Sequence, residues 1–323
     1  MLTNKLISKY IDLSKNILIA YSGGPDSTAL LHLLSTVDLN EKAKIKAIHI
    51  NHNLSKHSDF WEKHCIKQCA HLNINLIIES VKIISDGDGI EAASRKARYN
   101  IFENLLNDDD QLLLAHHSDD VAETIFMRLL RGSGPDGMEG PKIKRSIGKG
   151  VLIRPFLETS KKEILDYLNQ NEIEFIEDDS NLSDNFDRNF LRNKIFPLLE
   201  ERWNNFPKRV NNFSTILSSR NDNYMNLIHG KYQHLIGNSI NLKELKELPD
   251  TIISDVLRYS IKKSNIATPS IKIIEEIKKT FIHSNPGPKS QVKWSRADKE
   301  EVAGKITYAN GCILISKNNQ GQA

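Results

Sequence analysis

The residues with the clearest chemical potential form one short loop. It consists of Ser22, Gly23, Gly24, Pro25, Asp26 and Ser27. Its two glycines allow positive φ and close backbone approach, and its proline fixes the turn. An apolar run at 17–20, typical of a buried strand, precedes it, and an apolar helix follows. The loop therefore directs backbone N–H groups and a helix N-terminus at one spot, which suits a phosphate, although the glycines alone would also fit an ordinary strand-to-helix turn.

A second group of reactive side chains follows the apolar run at 111–115. It consists of His116, His117, Ser118, Asp119, Asp120 and Glu123. We expect Ser118 or Asp119 to cap the next helix. Capping does not explain two histidines together with Asp120 and Glu123, which are three apart and share a helix face. Two such carboxylates can hold Mg²⁺ or orient a nucleophilic amine, and we expect His116 to contact a nucleotide.

Four strand-like runs position these groups, at 17–20, 44–51, 74–79 and 111–115, each separated from the next by a helical stretch. This alternation predicts an α/β fold with a doubly wound, mostly parallel sheet that binds nucleotide at its carboxyl edge. His52 follows the second run and should border that nucleotide.

The pattern divides the chain into a catalytic domain at 1–205 and a second region at 206–323. The second region comprises a connector helix at about 206–225 and a smaller, mainly helical C-terminal domain. Near the end, Ala-Asn-Gly between two strand-like runs predicts a hairpin.

Basic side chains cluster locally, although a net charge of +3 is only mildly basic. Arg95 and Arg98 lie on one stripe of a predicted helix, which is either a solvated face or a row for phosphates. The loop-like stretch 141–162 carries seven cations against one acid. Such a cluster beside a nucleotide site makes a nucleic-acid contact plausible, although basic loops usually just face solvent.

Membrane insertion and a disulfide framework are both disfavoured by the sequence. No run approaches the roughly 18 apolar residues of a membrane span, and the N-terminus lacks the apolar core of a signal peptide. We therefore expect a cytoplasmic protein. Cys65 and Cys69 are four apart on a predicted helix, where buried free thiols are a commoner explanation than a metal site.

The loop SGGPDS resembles the SGGxDS signature of the N-type ATP pyrophosphatases, the PP-loop enzymes with a Rossmann-like fold. Three further segments, GIEAASRKARY, AHHSDDVAETIFMRLLRGSGPDG and RPFLETSKKEI with the later DRNFLRNKIFPLL, occur in the same order as in the tRNA(Ile)-lysidine synthetases. The resemblance to that family covers about residues 15–203. It implies a ligase that joins L-lysine to the wobble cytidine of the CAU-anticodon isoleucine tRNA, with ATP and Mg²⁺.

The resemblance also implies roles for individual residues. Ser22 to Ser27 would hold the ATP phosphates, with Asp26 on the Mg²⁺ or pyrophosphate side. Asp120 and Glu123 would form the acidic pair near the reacting centre, and Arg192 would act near the activated base. The basic residues expected to contact tRNA are Arg95, Arg98, Arg128, Arg131, Arg188, Lys142, Lys144 and Arg145.

Two other functions stay open from the sequence. One is a PP-loop tRNA C2-thiolase, against which the absence of a C-x-x-C pair counts. The other is a tRNA-binding module that retains ATP without turnover, although binding alone would not require Asp26, Asp120 and Glu123. A homodimer and a monomer are both compatible with the sequence.

Overall fold

The computed structural model describes residues 2–37, 44–53, 57–81, 90–177, 183–184, 186–295 and 302–318, with only the backbone of 4 and 90–92. Contacts between Cα atoms divide the chain into two compact units. Unit 1 comprises Met1–Met127 and Gly140–Ser214, and unit 2 comprises Arg128–Glu139 and Thr215–Ala323. The division at 205 was drawn from the sequence pattern and stays a prediction.

The first half of the chain alternates strands and helices. Its elements are α1 (Asn4–Tyr10), β1 (Ile17–Ala20), α2 (Pro25–Ser35), β2 (Ile45–Asn51), α3 (Ser58–His71), β3 (Asn75–Ser80), α4 (Ile90–Leu105), β4 (Gln111–Leu113), α5 (Ser118–Leu130), a 3₁₀ turn (Pro135–Glu139), β5 (Lys144–Ile147), β6 (Gly150–Ile153) and α6 (Lys161–Gln170).

The second half is mainly helical and ends in short strands. Its elements are α7 (Asp187–Phe190), a π turn (Leu191–Ile195), α8 (Phe196–Arg202), α9 (Phe206–Tyr232), a 3₁₀ turn (Gln233–Leu235), β7 (Ser239–Asn241), α10 (Leu242–Lys246), α11 (Asp250–Lys263), α12 (Ile271–Ile277), a second π turn (Lys278–Ile282), β8 (Gln291–Trp294), β9 (Gly304–Ala309) and β10 (Cys312–Lys317).

The sheet of unit 1 has the order β3-β2-β1-β4-β6-β5. All its neighbours are parallel except β5, which runs antiparallel to β6. The strand order reverses at β1, which pairs with β2 on one side and β4 on the other. Ligands of open α/β sheets bind at such a switch point, outside the carboxyl ends of the strands.

Helices cover both faces of this sheet, which confirms the predicted doubly wound class. Ile17 and Ile19 of β1 pack in a core with α2, α3 and α6, whereas Leu18 packs on the opposite face with Phe102 of α4. This alternation is the period-2 pattern of a strand that is buried on both sides.

Two sequence expectations within unit 1 were wrong. Part of the stretch expected as a basic loop is strand β5, which pairs with β6 around Gly148 (φ +52°). The predicted caps Ser118 and Asp119 lie inside α5, and the acid that accepts the backbone N–H of His117 is Asp120 (3.0 Å). The capping box predicted at Ser160 and Glu163 is present at the start of α6.

Unit 2 has its own core, built from α11, α12 and an antiparallel sheet of order β7-β10-β9-β8. The predicted hairpin joins β9 to β10, where Ala309 pairs with Cys312. Asn310 and Gly311 both have positive φ (+49° and +79°), as a two-residue type I′ turn requires.

Candidate active site

The loop at 22–27, which the sequence predicts to bind phosphate, lies between β1 and α2 and is stabilised by local hydrogen bonds. Ser22 N–H donates to Ser27 Oγ (3.2 Å), and Thr28 Oγ1 donates to the Gly23 carbonyl (3.1 Å). Gly23 has φ +83°, and Gly24 is the N-cap of α2 without a side chain to cap it. The N-terminus of α2 therefore presents backbone N–H groups suited to an anion.

Asp26, in the first turn of α2, meets groups from two distant elements. Lys161 Nζ at the start of α6 lies 2.6 Å from Asp26 Oδ1, and His117 Nε2 lies 3.6 Å from the same oxygen. The backbone N–H of Lys161 donates to Asp119 Oδ2 (2.9 Å). These contacts place the loop acid beside the start of α5.

His117 is buried among carboxylates. Its Nε2 lies 3.5 Å from Asp120 Oδ2, and its Nδ1 lies 3.6 Å from Asp119 Oδ2. Burial lowers the pKa of His117, but the charges of Asp120, Asp26 and Asp119 outweigh it and raise the pKa above its ordinary value. The ring of His117 thus links Asp26 to Asp120.

Asp120 is held as a carboxylate by its neighbours. Burial raises the pKa of Asp120, but the charges of His117 and Arg188 lower it by more than burial raises it. The pKa of Asp120 therefore lies well below its ordinary range. Its side chain is 16% exposed, and Oδ1 lies 3.5 Å from Arg188 Nη2 and 3.7 Å from Arg192 Nη2. Asp120 is an accessible anion between cationic groups.

Glu123, by contrast, is only 1% exposed, and both its carboxylate oxygens accept hydrogen bonds from arginines. Arg188 Nε donates to Oε2 (2.6 Å), and Arg192 donates through Nε to Oε1 (2.6 Å) and through Nη2 to Oε2 (2.9 Å). Charge-assisted contacts of this length fix orientation. Glu123 therefore anchors the two guanidinium groups beside Asp120.

The arginine segment is positioned by packing and by an irregular helix. Leu191–Ile195 forms a π turn, a feature that often accompanies functional sites. Phe126 of α5 packs edge-to-face on Phe196 and Phe206, with ring centroids 5.3 Å apart in each pair. This cluster joins α5 to α8 and the start of α9, and so brings the arginines to Glu123.

The two histidines predicted to contact nucleotide are both uncharged. Burial lowers the pKa of His116 to about 3, and Arg154 Nε donates to its Nδ1 (3.1 Å). Burial, with the charge of Arg98, also lowers the pKa of His52. The buried Nδ1 of His52 has no hydrogen-bond partner within the described part of the chain, so it can accept one from a ligand.

The residues predicted to contact tRNA lie in different structural environments. Arg188 lies in the Glu123 cluster described above, whereas Arg128 Nη1 donates to the Gly137 carbonyl (2.9 Å). Arg95 and Arg145 stack on Tyr99, 4.9 and 5.1 Å from its ring centroid. Nε and Nη2 of Arg145 are buried without a hydrogen-bond partner among the described residues.

The other basic residues of this prediction differ in exposure. Arg131, Lys142 and Lys144 are exposed, while Arg98 is half-buried on α4. Contact with tRNA stays a prediction for all of them.

Sequence reasoning assigned no role to three residues of this site: His117, Lys161 and Arg154. His117 could have been selected as the histidine directly before the acids. Lys161 and Arg154 carried no signal beyond the basic composition of 141–162, and Arg154 is 2% exposed rather than a surface cation. Within the described residues, no group of three or more His, Cys, Asp and Glu side chains forms a metal site, and no helix is long and apolar enough to span a membrane.

A Rossmann-like domain with a phosphate loop at the switch point and acids beside it defines a PP-loop protein. The family model described as a PP-loop domain matches residues 2–199. The U34-tRNA thiolase NcsA from Methanococcus maripaludis shares this fold, with a TM-score of 0.53 at 16% identity over 66% of this chain and 77% of that one.

Curated relatives identify the family within the PP-loop class to which the chain belongs. The chain is 40% identical over 303 residues to the tRNA(Ile)-lysidine synthase of Buchnera aphidicola subsp. Schizaphis graminum, which covers 92% of this chain and 66% of that protein. It is 37% identical over 325 residues to that of Buchnera aphidicola subsp. Acyrthosiphon pisum, with 98% and 73% covered. The chain belongs to the tRNA(Ile)-lysidine synthase family and spans about two thirds of the length of these relatives.

Proposed function

We propose that the chain is a cytoplasmic ligase that uses ATP to adenylate the C2 oxygen of the wobble cytidine in the CAU-anticodon isoleucine tRNA and then joins L-lysine there, giving lysidine, AMP and pyrophosphate. Family membership supports the reaction. The observation that carries it is the meeting of Asp26 and Asp120 on Nε2 of His117, at 3.6 and 3.5 Å, because this joins the phosphate loop to the acid and arginine cluster.

In the first step the cytosine C2 oxygen attacks the α-phosphorus of ATP, and the bond to the pyrophosphate oxygen breaks. The N–H groups at the start of α2 stabilise the charge on the phosphates. Mg²⁺ in nucleotide sites is usually held by one or two carboxylates together with phosphate oxygens, and Asp26 fits that role because it is partly exposed in the loop. Bound there, Mg²⁺ would neutralise charge on the departing pyrophosphate.

In the second step the neutral ε-amine of lysine attacks C2, and the C2–O bond to AMP breaks. Asp120 positions this amine through its partly exposed carboxylate. The proton that the amine loses passes to solvent, because a carboxylate with so low a pKa is a weak base. Glu123 is a positioning residue, because both its oxygens are occupied by Arg188 and Arg192. Arg192 then faces the activated base, which must be splayed out of its loop.

The cysteines give no support to the thiolase alternative. Cys65 and Cys69 are free and buried in the core between α3 and the sheet. Burial raises the pKa of Cys65 to about 12 and that of Cys69 to about 11. Thiols of this kind are unreactive, because the thiolate is the nucleophile.

The test is incorporation of labelled lysine into unmodified CAU-anticodon isoleucine tRNA with Mg-ATP. We expect incorporation by the wild type, none with a CAU-anticodon methionine tRNA, and a loss of roughly 10²-fold or more in Asp120→Asn, with pyrophosphate release from the first step retained. Asp166→Asn removes an exposed carboxylate of α6 and serves as the matched control, with unchanged incorporation.

Two results would contradict the proposal. Formation of AMP with another acceptor would keep the PP-loop chemistry and discard the substrate. Absence of both products with a folded protein that binds tRNA would leave only the binding module.

A further inference from the structure

Arg154 makes a contact that the reaction described above does not use. It is 2% exposed, follows β6, and donates through Nη1 to the Lys142 carbonyl (2.8 Å) and through Nε to His116 Nδ1 (3.1 Å). A guanidinium group is always protonated and can only donate. Nδ1 of His116 must therefore be the acceptor.

This contact determines where the proton of His116 lies. A neutral imidazole with an accepting Nδ1 carries its hydrogen on Nε2. The charged groups that act on the ring are Asp120 of α5, which favours protonation, and Arg154, Arg95 and Arg98, which oppose it. Three cations and burial outweigh one carboxylate, so the ring stays uncharged.

The other ring nitrogen, Nε2, belongs to a residue near the carboxyl edge of the sheet, where nucleotide is expected to bind. His116 is half-buried and lies three residues after the end of β4, the strand next to β1 at the switch point. Nε2 points away from Arg154, and no protein group within the described chain accepts from it. An oriented, uncharged N–H donor is thus available where the phosphate loop and Asp120 meet.

We propose that Arg154 is a positioning residue that fixes His116 as a neutral imidazole with its proton on Nε2, which donates a hydrogen bond to an acceptor oxygen of the reacting nucleotide. This deepens the proposed function and rests on it for the identity of the acceptor. A neutral donor can stabilise charge that develops on that oxygen without surrendering a proton to it.

The first measurement is the tautomer of His116, by long-range ¹H–¹⁵N correlation in the full chain with labelled histidine. His49 is an internal reference of the opposite tautomer, because its Nδ1 donates to the Tyr21 carbonyl (3.1 Å). We expect His116 to be neutral and protonated on Nε2 between about pH 5 and pH 8. A charged ring, or a proton on Nδ1, would overturn the assignment.

Arg154→Met should release this constraint, so that the His116 signal moves toward a mixture of tautomers and its pKa rises. Arg258→Met is the matched control, since Arg258 also donates from Nη1 to a backbone carbonyl, that of Pro269, and its loss should leave the His116 spectrum unchanged. If Arg154→Met does not fold, the wild-type spectrum alone still decides the tautomer.

The donor role is tested by two substitutions at His116. The amide nitrogen of Gln can replace Nε2–H, whereas Asn places its amide near Nδ1. We expect AMP formation to fall roughly 10²-fold in His116→Asn and within about tenfold in His116→Gln. Equal losses in both variants would refute the donor role. A confirmed tautomer in a protein that makes no lysidine would refute the proposed function instead.

Discussion

At the scale of single residues, the Lys161–Asp26 pair balances the charge of the acid in the phosphate loop. The two side chains are partly exposed, and their charged atoms lie 2.6 Å apart. The ammonium group partly neutralises the charge of Asp26. A divalent cation bound at Asp26, as proposed above, would therefore compete with Lys161.

We expect Lys161→Met to tighten divalent-cation binding in the absence of ATP. Removing a positive charge 2.6 Å from Asp26 Oδ1 makes the local potential more negative. Titration with Mn²⁺, followed by its paramagnetic resonance signal, should show an affinity increase of roughly threefold to tenfold. Lys162→Met removes an exposed neighbouring cation and should change nothing. Unchanged Mn²⁺ affinity in Lys161→Met would show that Asp26 does not bind the cation.

The sequence predicted individual site residues where chemistry and local spacing coincide. Asp120 and Glu123 were found from their three-residue spacing on a helix. Their different roles could not be found, because they depend on Arg188 and Arg192, 65 and 69 residues beyond Glu123. The same limit applies to Lys161, which is 135 residues from its partner Asp26.

At the scale of elements, the turn from β1 into α2 depends on the conformation of Gly23. Its carbonyl accepts from the Ile176 N–H (2.9 Å) and from Thr28 Oγ1, so the peptide cannot turn without breaking both bonds. A Cβ at Gly23 would lie 3.0 Å from Ile176 Cδ1 and 3.1 Å from Cys65 Sγ. The positive φ and the crowding together select glycine.

Gly23→Ala should therefore destabilise unit 1. We expect a loss of about 1–3 kcal/mol in the free energy of unfolding, from the strained φ and the two close contacts. Urea denaturation measures it. Gly24→Ala is the control, because Gly24 has φ −70° and its Cβ would only touch Ser22 Oγ at 3.4 Å. Equal stability of the two variants would show that the loop relaxes at Gly23 without cost.

Elements with a strong local signal were predicted, and elements that depend on packing were not. β1 has the predicted limits, and the hairpin at Asn310-Gly311 follows from turn chemistry. β5 was missed, because its sequence Lys-Arg-Ser-Ile is mostly polar and shows no strand alternation, so it also fits a loop. α9 continues to Tyr232, beyond the stretch predicted as a connector, and buries Met225 and Ile228.

At the scale of the whole molecule, the proposed binding of tRNA has to rest on local charge. A net charge of +3 over 323 residues gives little general attraction for nucleic acid. Strand β5 and the residues before it offer an alternative, since Lys142 and Lys144 are exposed. They lie at the edge of the sheet beside Arg145, whose stack on Tyr99 ties this edge to α4.

This arrangement predicts the salt dependence of tRNA binding. Each phosphate contact contributes about 0.7–0.9 to the slope of log K against log salt, because bound counterions are released. Replacing Lys142 and Lys144 together by Met should therefore lower the slope by roughly 1.4 to 1.8 and weaken binding of the isoleucine tRNA at low salt. Lys243 and Lys272, exposed lysines of α10 and α12, give a control double variant with the same change in net charge. If the slope falls equally in both double variants, tRNA binding depends on the overall charge of the protein, and the β5 edge is not a binding surface.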